Sequence, residues 1–315
     1  MKEKIQVSNK KTLIFLAVII VILAFGNIAA FFYYIPKKIN SAASGDSYNF
    51  LNPARKFFKP EDLIINFQPL RDYLNNKYAA DLNVSVYFEY LPTGSNIAIN
   101  KNAEFYPASL LKVPVAMAVA KKIERGDWKW SNELVLMPAD KDDRFGTLYK
   151  ESSNSKHTIE NVVGRSLLDS DNTAHFMLVR NLEIEEIEDV YEHIGLKDFL
   201  SSSGNLSAKR YSVIMRALYN SSYLSEENSQ KLLSYLSRSP FKEYIESGLP
   251  QGVVFSHKIG IDKDKDVFLD SGIVHAERRP YLLTVMIKTK DEQRAKEEMK
   301  DISENVFNYV KNYHD

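Results

Sequence analysis

The stretch Tyr106-Pro107-Ala108-Ser109-Leu110-Leu111-Lys112-Val113-Pro114-Val115-Ala116-Met117 decides how the rest of the chain is read. It places a serine and a lysine three residues apart at the head of an apolar segment that reads as a helix from about Leu110 to Arg125 and stops at Gly126. Residues with that spacing on a helix share a face, one turn apart. Serine is a weak nucleophile at its free pKa and needs a base within hydrogen-bond reach. The lysine supplies one. The free N–H groups and partial positive charge at a helix start suit a developing oxyanion. Alone the spacing is cheap, since Ser8/Lys11, Ser153/Lys156 and Ser239/Lys242 repeat it.

What separates Ser109 is its company downstream. Ser170-Asp171-Asn172 and Lys258-Ile259-Gly260 begin 61 and 149 residues after it, the second on a late strand. Taken singly, the first is a helix cap and the second a strand end with a turn glycine. In this order the three resemble the S-x-x-K, S-D-N and K-[TS]-G signature set of class A β-lactamases and penicillin-binding proteins. The hairpin before the serine, Tyr106-Pro107-Ala108-Ser109, Gly248-Leu249-Pro250-Gln251-Gly252 and Asp270-Ser271-Gly272-Ile273-Val274 are also similar to that family. The resemblance runs from about Asp62 to the C-terminus.

Residue patterning gives a compatible fold. Leu63, Phe67, Leu70 and Leu74 recur at helical period within Asp62 to Tyr78, and Val84–Tyr90, a Pro92-Thr93-Gly94-Ser95 turn and Ile97–Ile99 form a hairpin. Helices are expected at Thr158–Leu168, Thr173–Arg180, Ile184–His193, Ala208–Tyr219, Ser225–Leu236 and Glu292–Tyr313. Late strands are expected at Val253–Lys258, Val267–His275 and Tyr281–Lys288. That order implies an α/β (α+β) fold: one antiparallel sheet built from both ends of the chain, flanked by terminal helices, with an all-helical subdomain inserted.

Carried over residue by residue, the resemblance implies a catalytic group of Ser109, Lys112, Ser170 and Lys258, with Asn172, Gly260 and Ile261 binding substrate. Ser109 is then the acylated nucleophile and Lys112 its proton acceptor or the group that tunes it. Ser170 passes a proton to the leaving nitrogen, Lys258 holds Ser170 and attracts a carboxylate, and Asn172 meets the substrate amide. The N–H groups of Ser109 and Ile261 form the oxyanion hole. Two departures narrow the activity. Ile259 stands where the family has a hydroxyl that meets the substrate carboxylate, leaving Arg278 and Arg279 as substitute donors. Class A enzymes also carry a loop glutamate that activates the deacylating water. Between Lys197 and Leu224 there is no glutamate, and Asp198 is the only acid.

The remaining composition excludes more than it adds. Lysine plus arginine and aspartate plus glutamate number 41 each, so no nucleic-acid partner is indicated. With no cysteine, thiol chemistry, disulfides and a lipidated cysteine are ruled out. His157, His175, His193, His257, His275 and His314 form no H-E-x-x-H pattern, and neither a metal nor a cofactor is expected. Asp262-Lys263-Asp264-Lys265-Asp266 reads as a solvated turn.

From Thr12 to Ile35 no residue is charged, long enough for a helix of about 20 apolar residues to cross a bilayer. The competing reading is a cleaved secretory signal ending at Ser41-Ala42-Ala43-Ser44, though that site lies well past the apolar run. Lys2, Lys4, Lys10 and Lys11 precede it, and only Lys37 and Lys38 follow. The excess of positive charge puts the N-terminus in the cytoplasm. The expected organisation is a cytoplasmic tail (1–11), an anchor (12–35), a stalk (36–61) and an extracytoplasmic serine hydrolase domain (62–315). The expected substrate is a β-lactam or a D-Ala-D-Ala-type peptidoglycan stem peptide; the alternative is a non-turnover penicillin- or muropeptide-binding sensor.

Overall fold

Alternating β-branched and aromatic residues on five segments find their partners across nearly the whole described chain. The computed structural model describes residues 63–313, apart from 65, 198 and 200–203, together with residue 15. The expected anchor at 12–35 (residue 15 apart), the stalk at 36–61 and Asp198 lie outside these described residues. Among the described residues no helix is long and apolar enough to cross a membrane.

Strands β1 (Val84–Tyr90) and β2 (Ser95–Ile99) form the expected hairpin. After β2 the chain enters the inserted block through a 3₁₀ turn (Ala108–Leu111), α2 (Lys112–Glu124) and β3 (Glu133–Val135). Before β1 lies α1 (Gln68–Tyr78). The block continues through β4 (Lys156–Thr158), α3 (Ile159–Leu168), α4 (Asn172–Arg180), α5 (Ile184–His193), α6 (Ala208–Asn220) and α7 (Glu226–Leu236). Then come β5 (Phe255–Asp262), β6 (Val267–Val274), β7 (Tyr281–Lys288) and α8 (Glu292–Asn312).

The sheet order is β2-β1-β7-β6-β5, antiparallel throughout. The register Val84↔Ile287 to Tyr90↔Tyr281 joins strands from the two ends of the domain, as the pattern implied. On one face Leu70, Leu74 and Tyr78 of α1 and Met299, Ile302 and Val306 of α8 share a core with Val86, Phe88, Ile259 and Val285. Each such side chain contributes about 1.5–3 kcal/mol by leaving water. On the other face α6 lies against β1, β6 and β7 and links the sheet to the helical block. The first and last helices also meet at their ends: Tyr309 Oη donates to the Asn66 carbonyl, and Asn66 N–H donates to Tyr313 Oη at 3.3 Å.

Several boundaries differ from the sequence reading. α1 begins at Gln68, with Pro69 in the first turn, where a missing N–H costs no intrahelical bond. The same rule sets α2. Pro114 is tolerated within the first turn of an α-helix, so the α-helix begins at Lys112 and the preceding Ala108–Leu111 winds as a 3₁₀ turn. β5 runs four residues past Lys258, because its pairing with β6 continues to Asp262↔Val267. The inserted block is not purely helical, since β3 and β4 pair as a two-stranded sheet. Thr158 does start α3, its side chain accepting the Asn161 N–H at 3.2 Å.

Candidate active site

The nucleophile turn is held in an uncommon backbone shape. Ala108 has φ +46° and Ser170 φ +56°, a left-handed region that non-glycine residues adopt rarely and at a cost of about 1–3 kcal/mol each. Gly260 lets this turn lie against β5, since a Cβ there would meet the Pro107 carbonyl at 2.8 Å. β5 is an edge strand, so its outward backbone groups have no strand partner and face the turn that carries Ser109.

Lys112 is the hub. Only 2 % exposed, its Nζ lies 2.9 Å from Ser109 Oγ, 2.7 Å from the Ser170 carbonyl, 2.6 Å from Asn172 Oδ1 and 3.3 Å from Ser170 Oγ. The carbonyl and the amide oxygen can only accept, so they claim two N–H bonds and leave one tetrahedral position facing the serines. Burial pushes the ammonium down to about 7, against the pull of Asp171 and Asp142. Near neutrality a sizeable fraction of Lys112 is therefore the free amine, with a lone pair for the Ser109 proton.

The supporting loop was not foreseen. Asp171 is buried and spends both oxygens on backbone: Oδ1 caps α4 by accepting Ala174 N–H at 2.9 Å, while Oδ2 accepts Thr147 N–H at 2.7 Å and Leu148 N–H at 2.8 Å. The bland cap reading of Ser170-Asp171-Asn172 is thus true of Asp171. Gly146, at φ +88°, passes so close that a Cβ would lie 2.1 Å from Asp171 Oδ2. The loop brings Asp142, Arg144 and Phe145 to the site. Asn172 N–H donates to the Phe145 carbonyl at 3.0 Å, and its Nδ2 donates to Asp142 Oδ1 at 2.9 Å. Burial pushes the Asp142 carboxyl up, but hydrogen bonds from Arg144 and Asn172 outweigh it and hold it at about 2.

A cavity of about 570 Å³ opens beside Ser109. Of the residues expected in the site, Ser109, Lys112, Asn172 and Ile261 line it. Ser170 and Lys258 are each 1 % exposed and lie next to Lys112, while Gly260 sits under the nucleophile turn. No hydrogen bond joins Lys258 to Ser170; Lys112 takes the Ser170 contacts instead. Lys258 Nζ lies 5.8 Å from the centroid of the Phe241 ring, within electrostatic reach of Lys112, Asp270 and Asp169. Burial and then the Lys112 charge push it well below its ordinary value.

Two expectations need correction. Arg278 and Arg279 do not reach the site. The β6–β7 turn lies at the Phe255 end of the sheet, about 17 Å from Gly260 at about 3.4 Å per residue. There Arg279 Nη1 donates to the Val310 and Tyr313 carbonyls at 2.8 and 3.0 Å. Besides Lys112, the basic side chains lining the cavity among the described residues are Arg144 and Lys263. The alternating-charge turn is also more than solvated surface: Asp262, Lys263 and Asp264 form a cavity wall, and Lys265 Nζ lies 4.8 Å from the Tyr106 ring centroid. The Ile259 side chain points into the core shared with α8 and is 1 % exposed.

The histidines divide sharply. His257, next to Lys258 but on the core face of β5, stacks on Phe255 and lies 2.8 Å from Asp270 Oδ1. Burial lowers its pKa, but Asp270 and Glu246 outweigh that and bring it to about 9. His175 lines the cavity one turn after Asn172, with Phe176 beside it. Sequence reading passed over it because a single histidine on a helix carries no metal or base pattern of its own.

The comparisons agree with this geometry. Residues 68–310 match the model of the Beta-lactamase enzyme family. Among solved structures, PBP-A aligns with TM-score 0.71 at 22% identity, covering 82% of this chain and 100% of that chain. A β-lactamase from Sphaerobacter thermophilus DSM 20745 aligns with TM-score 0.71 at 20% identity, covering 80% of this chain and 100% of that one. A PBP-A mutant solved as an acyl-enzyme with penicillin G aligns with TM-score 0.70 at 22% identity, covering 81% and 100%. No curated protein matches the sequence at a significant level. At these identities the structures attest the shared fold, and the family match spans most of the chain: the protein belongs to the β-lactamase enzyme family, with the fold of the class A enzymes and of PBP-A.

Proposed function

We propose that the chain is a serine acyl-transfer enzyme that forms an acyl-enzyme on Ser109 with β-lactams or D-Ala-D-Ala-type cell-wall amides, and that residues 12–35 anchor it with its catalytic domain outside the cytoplasm. One observation carries the chemistry: a buried lysine, held at about 7, lies 2.9 Å from Ser109 Oγ with its other hydrogen-bond positions already spoken for. Ser109 Oγ attacks the substrate carbonyl and gives its proton to Lys112 Nζ. The N–H groups of Ser109 and Ile261 receive the oxyanion. Ser170 Oγ, 3.3 Å from Lys112 Nζ, relays the proton to the leaving nitrogen, and Lys258, when protonated, favours a substrate carboxylate.

Deacylation is the slower half of this reading. No glutamate occupies 198–223, and the only carboxylates lining the cavity among the described residues belong to Asp262 and Asp264 of the β5–β6 turn. Loss of a positioned general base slows a step by about 10²–10⁴. That favours slow, peptidase-like turnover over an efficient penicillinase and keeps a covalent sensor as the second reading. The test is to incubate the full-length protein in detergent with a fluorescent penicillin and follow the mass of the chain. An adduct on Ser109 that decays over minutes to hours fits the proposal; a permanent adduct selects the sensor; no adduct refutes acyl transfer.

A further inference from the structure

His175 follows Asn172 by one turn of α4, so the two present side chains to the same cavity. Its Nδ1 is sealed from solvent with no hydrogen-bond partner. Burial, and then the charges of Lys112 and Lys258, push the imidazole down to about 3, so the ring is neutral at working pH. A neutral imidazole has one N–H and one lone pair. An orphaned buried N–H is rarer and less well tolerated than an orphaned acceptor. The sealed Nδ1 is therefore the lone pair, and the proton sits on Nε2, the ring nitrogen left to meet a ligand in the cavity that His175 lines. With its proton there, the ring offers no base to a water molecule. It offers a neutral donor.

Asn172 offers a second. Lys112 occupies its Oδ1 and Asp142 takes one hydrogen of Nδ2, leaving the other Nδ2 hydrogen available. The two donors project from Cβ atoms about 5–6 Å apart, and same-side carbonyls of an extended chain recur at about 6.8 Å, two residues at 3.4 Å. Tyr106 and Phe176, 37 % and 38 % exposed, give the cavity mouth aromatic edges. We propose that α4 reads an extended peptide on the acyl side of the scissile bond. Asn172 donates to the first carbonyl and His175 to the next one on the same side, so that peptidyl amides are preferred over short acyl donors. This rests on the acyl-transfer reading and adds to it a specificity-determining residue.

The test uses the full-length protein in detergent and two thioesters ending in D-alanine, one N-acetyl-D-alanyl and one extended by two residues. Rates of Ser109 acylation are read by intact mass. The wild type should favour the longer donor by about tenfold, the worth of one good hydrogen bond. His175→Ala should bring that ratio close to one by slowing only the longer donor, and His175→Gln, which restores a neutral donor, should recover part of it. A wild type indifferent to length, or a preference that survives His175→Ala, overturns the inference while penicillin labelling of Ser109 leaves acyl transfer standing. If His175→Ala also loses penicillin labelling through misfolding, the ratio in His175→Gln decides: a ratio of one between the two thioesters overturns it. No Ser109 adduct with any of the reagents overturns acyl transfer itself, and this inference with it.

Discussion

Lys112 and Lys258 are both nearly sealed from solvent, 2 % and 1 % exposed, and burial lowers the pKa of both. Their surroundings could hardly differ more. Lys112 touches four oxygens on three residues; Lys258 meets no hydrogen-bond partner among the described residues and lies over an aromatic ring. Burial sets the direction of both shifts, and hydrogen bonding sets the task. A lysine with every direction assigned can pass a proton along one of them. A lysine with none assigned acts through charge and remains costly until an anion arrives.

The contrast is most sharply broken at Lys112. Lys112→Ala should slow Ser109 acylation by about 10²–10⁴, measured as the rate of penicillin adduct formation. In the wild type that rate should rise with pH through about 7, because the free amine is the competent form. A rate independent of pH between 6 and 8, on the order of one unit either side of that value, would remove Lys112 as the base.

Asp171→Ala comes next. It orphans three backbone N–H groups, one of them at the capped start of α4, and should cost about 2–4 kcal/mol in chemical denaturation. Lys258→Met moves stability the other way. A lysine depressed by folding binds fewer protons folded than unfolded, so stability rises with pH up to the ordinary value of 10.5 and is lowest below the folded value. Removing the buried amine should raise stability at pH 7 by about 1–4 kcal/mol and flatten that pH dependence, while acylation by carboxylate-bearing substrates falls. Unchanged stability would mean the ammonium has a partner. The smallest effect belongs to Ile259→Val: about 1 kcal/mol of stability with acylation unchanged, since that side chain lies in the core.

Much of this site could be read from the sequence, because its parts obey local rules. The Ser109–Lys112 spacing is a helical turn, the Asp171 cap is a helix start, and Lys258-Ile259-Gly260 sits on an alternating strand. What escaped depends on long-range closure. Arg144 and Phe145 reach the cavity only because Asp171 binds the backbone of Thr147 and Leu148, and only the absence of a Cβ at Gly146 permits it. Nothing in Asp142–Gly146 announces that partner. Arg278 and Arg279 were placed by closeness in sequence to a site strand, whereas an antiparallel hairpin carries its second turn to the opposite end. The departure at Ile259 was visible as a missing hydroxyl. That the position had been given to the core required knowing which face of β5 meets α8.

The pairing of Tyr309 and Tyr313 with Asn66 has a practical consequence for anyone handling the protein. The polypeptide enters and leaves the domain at one seam. A fluorophore, affinity tag or fusion partner joined after Tyr313 therefore departs beside the point where the upstream segment arrives. A pulling force applied between those two attachment points would load the α1–α8 contact first, like opening a zip at its tab, before any strand of the sheet is strained.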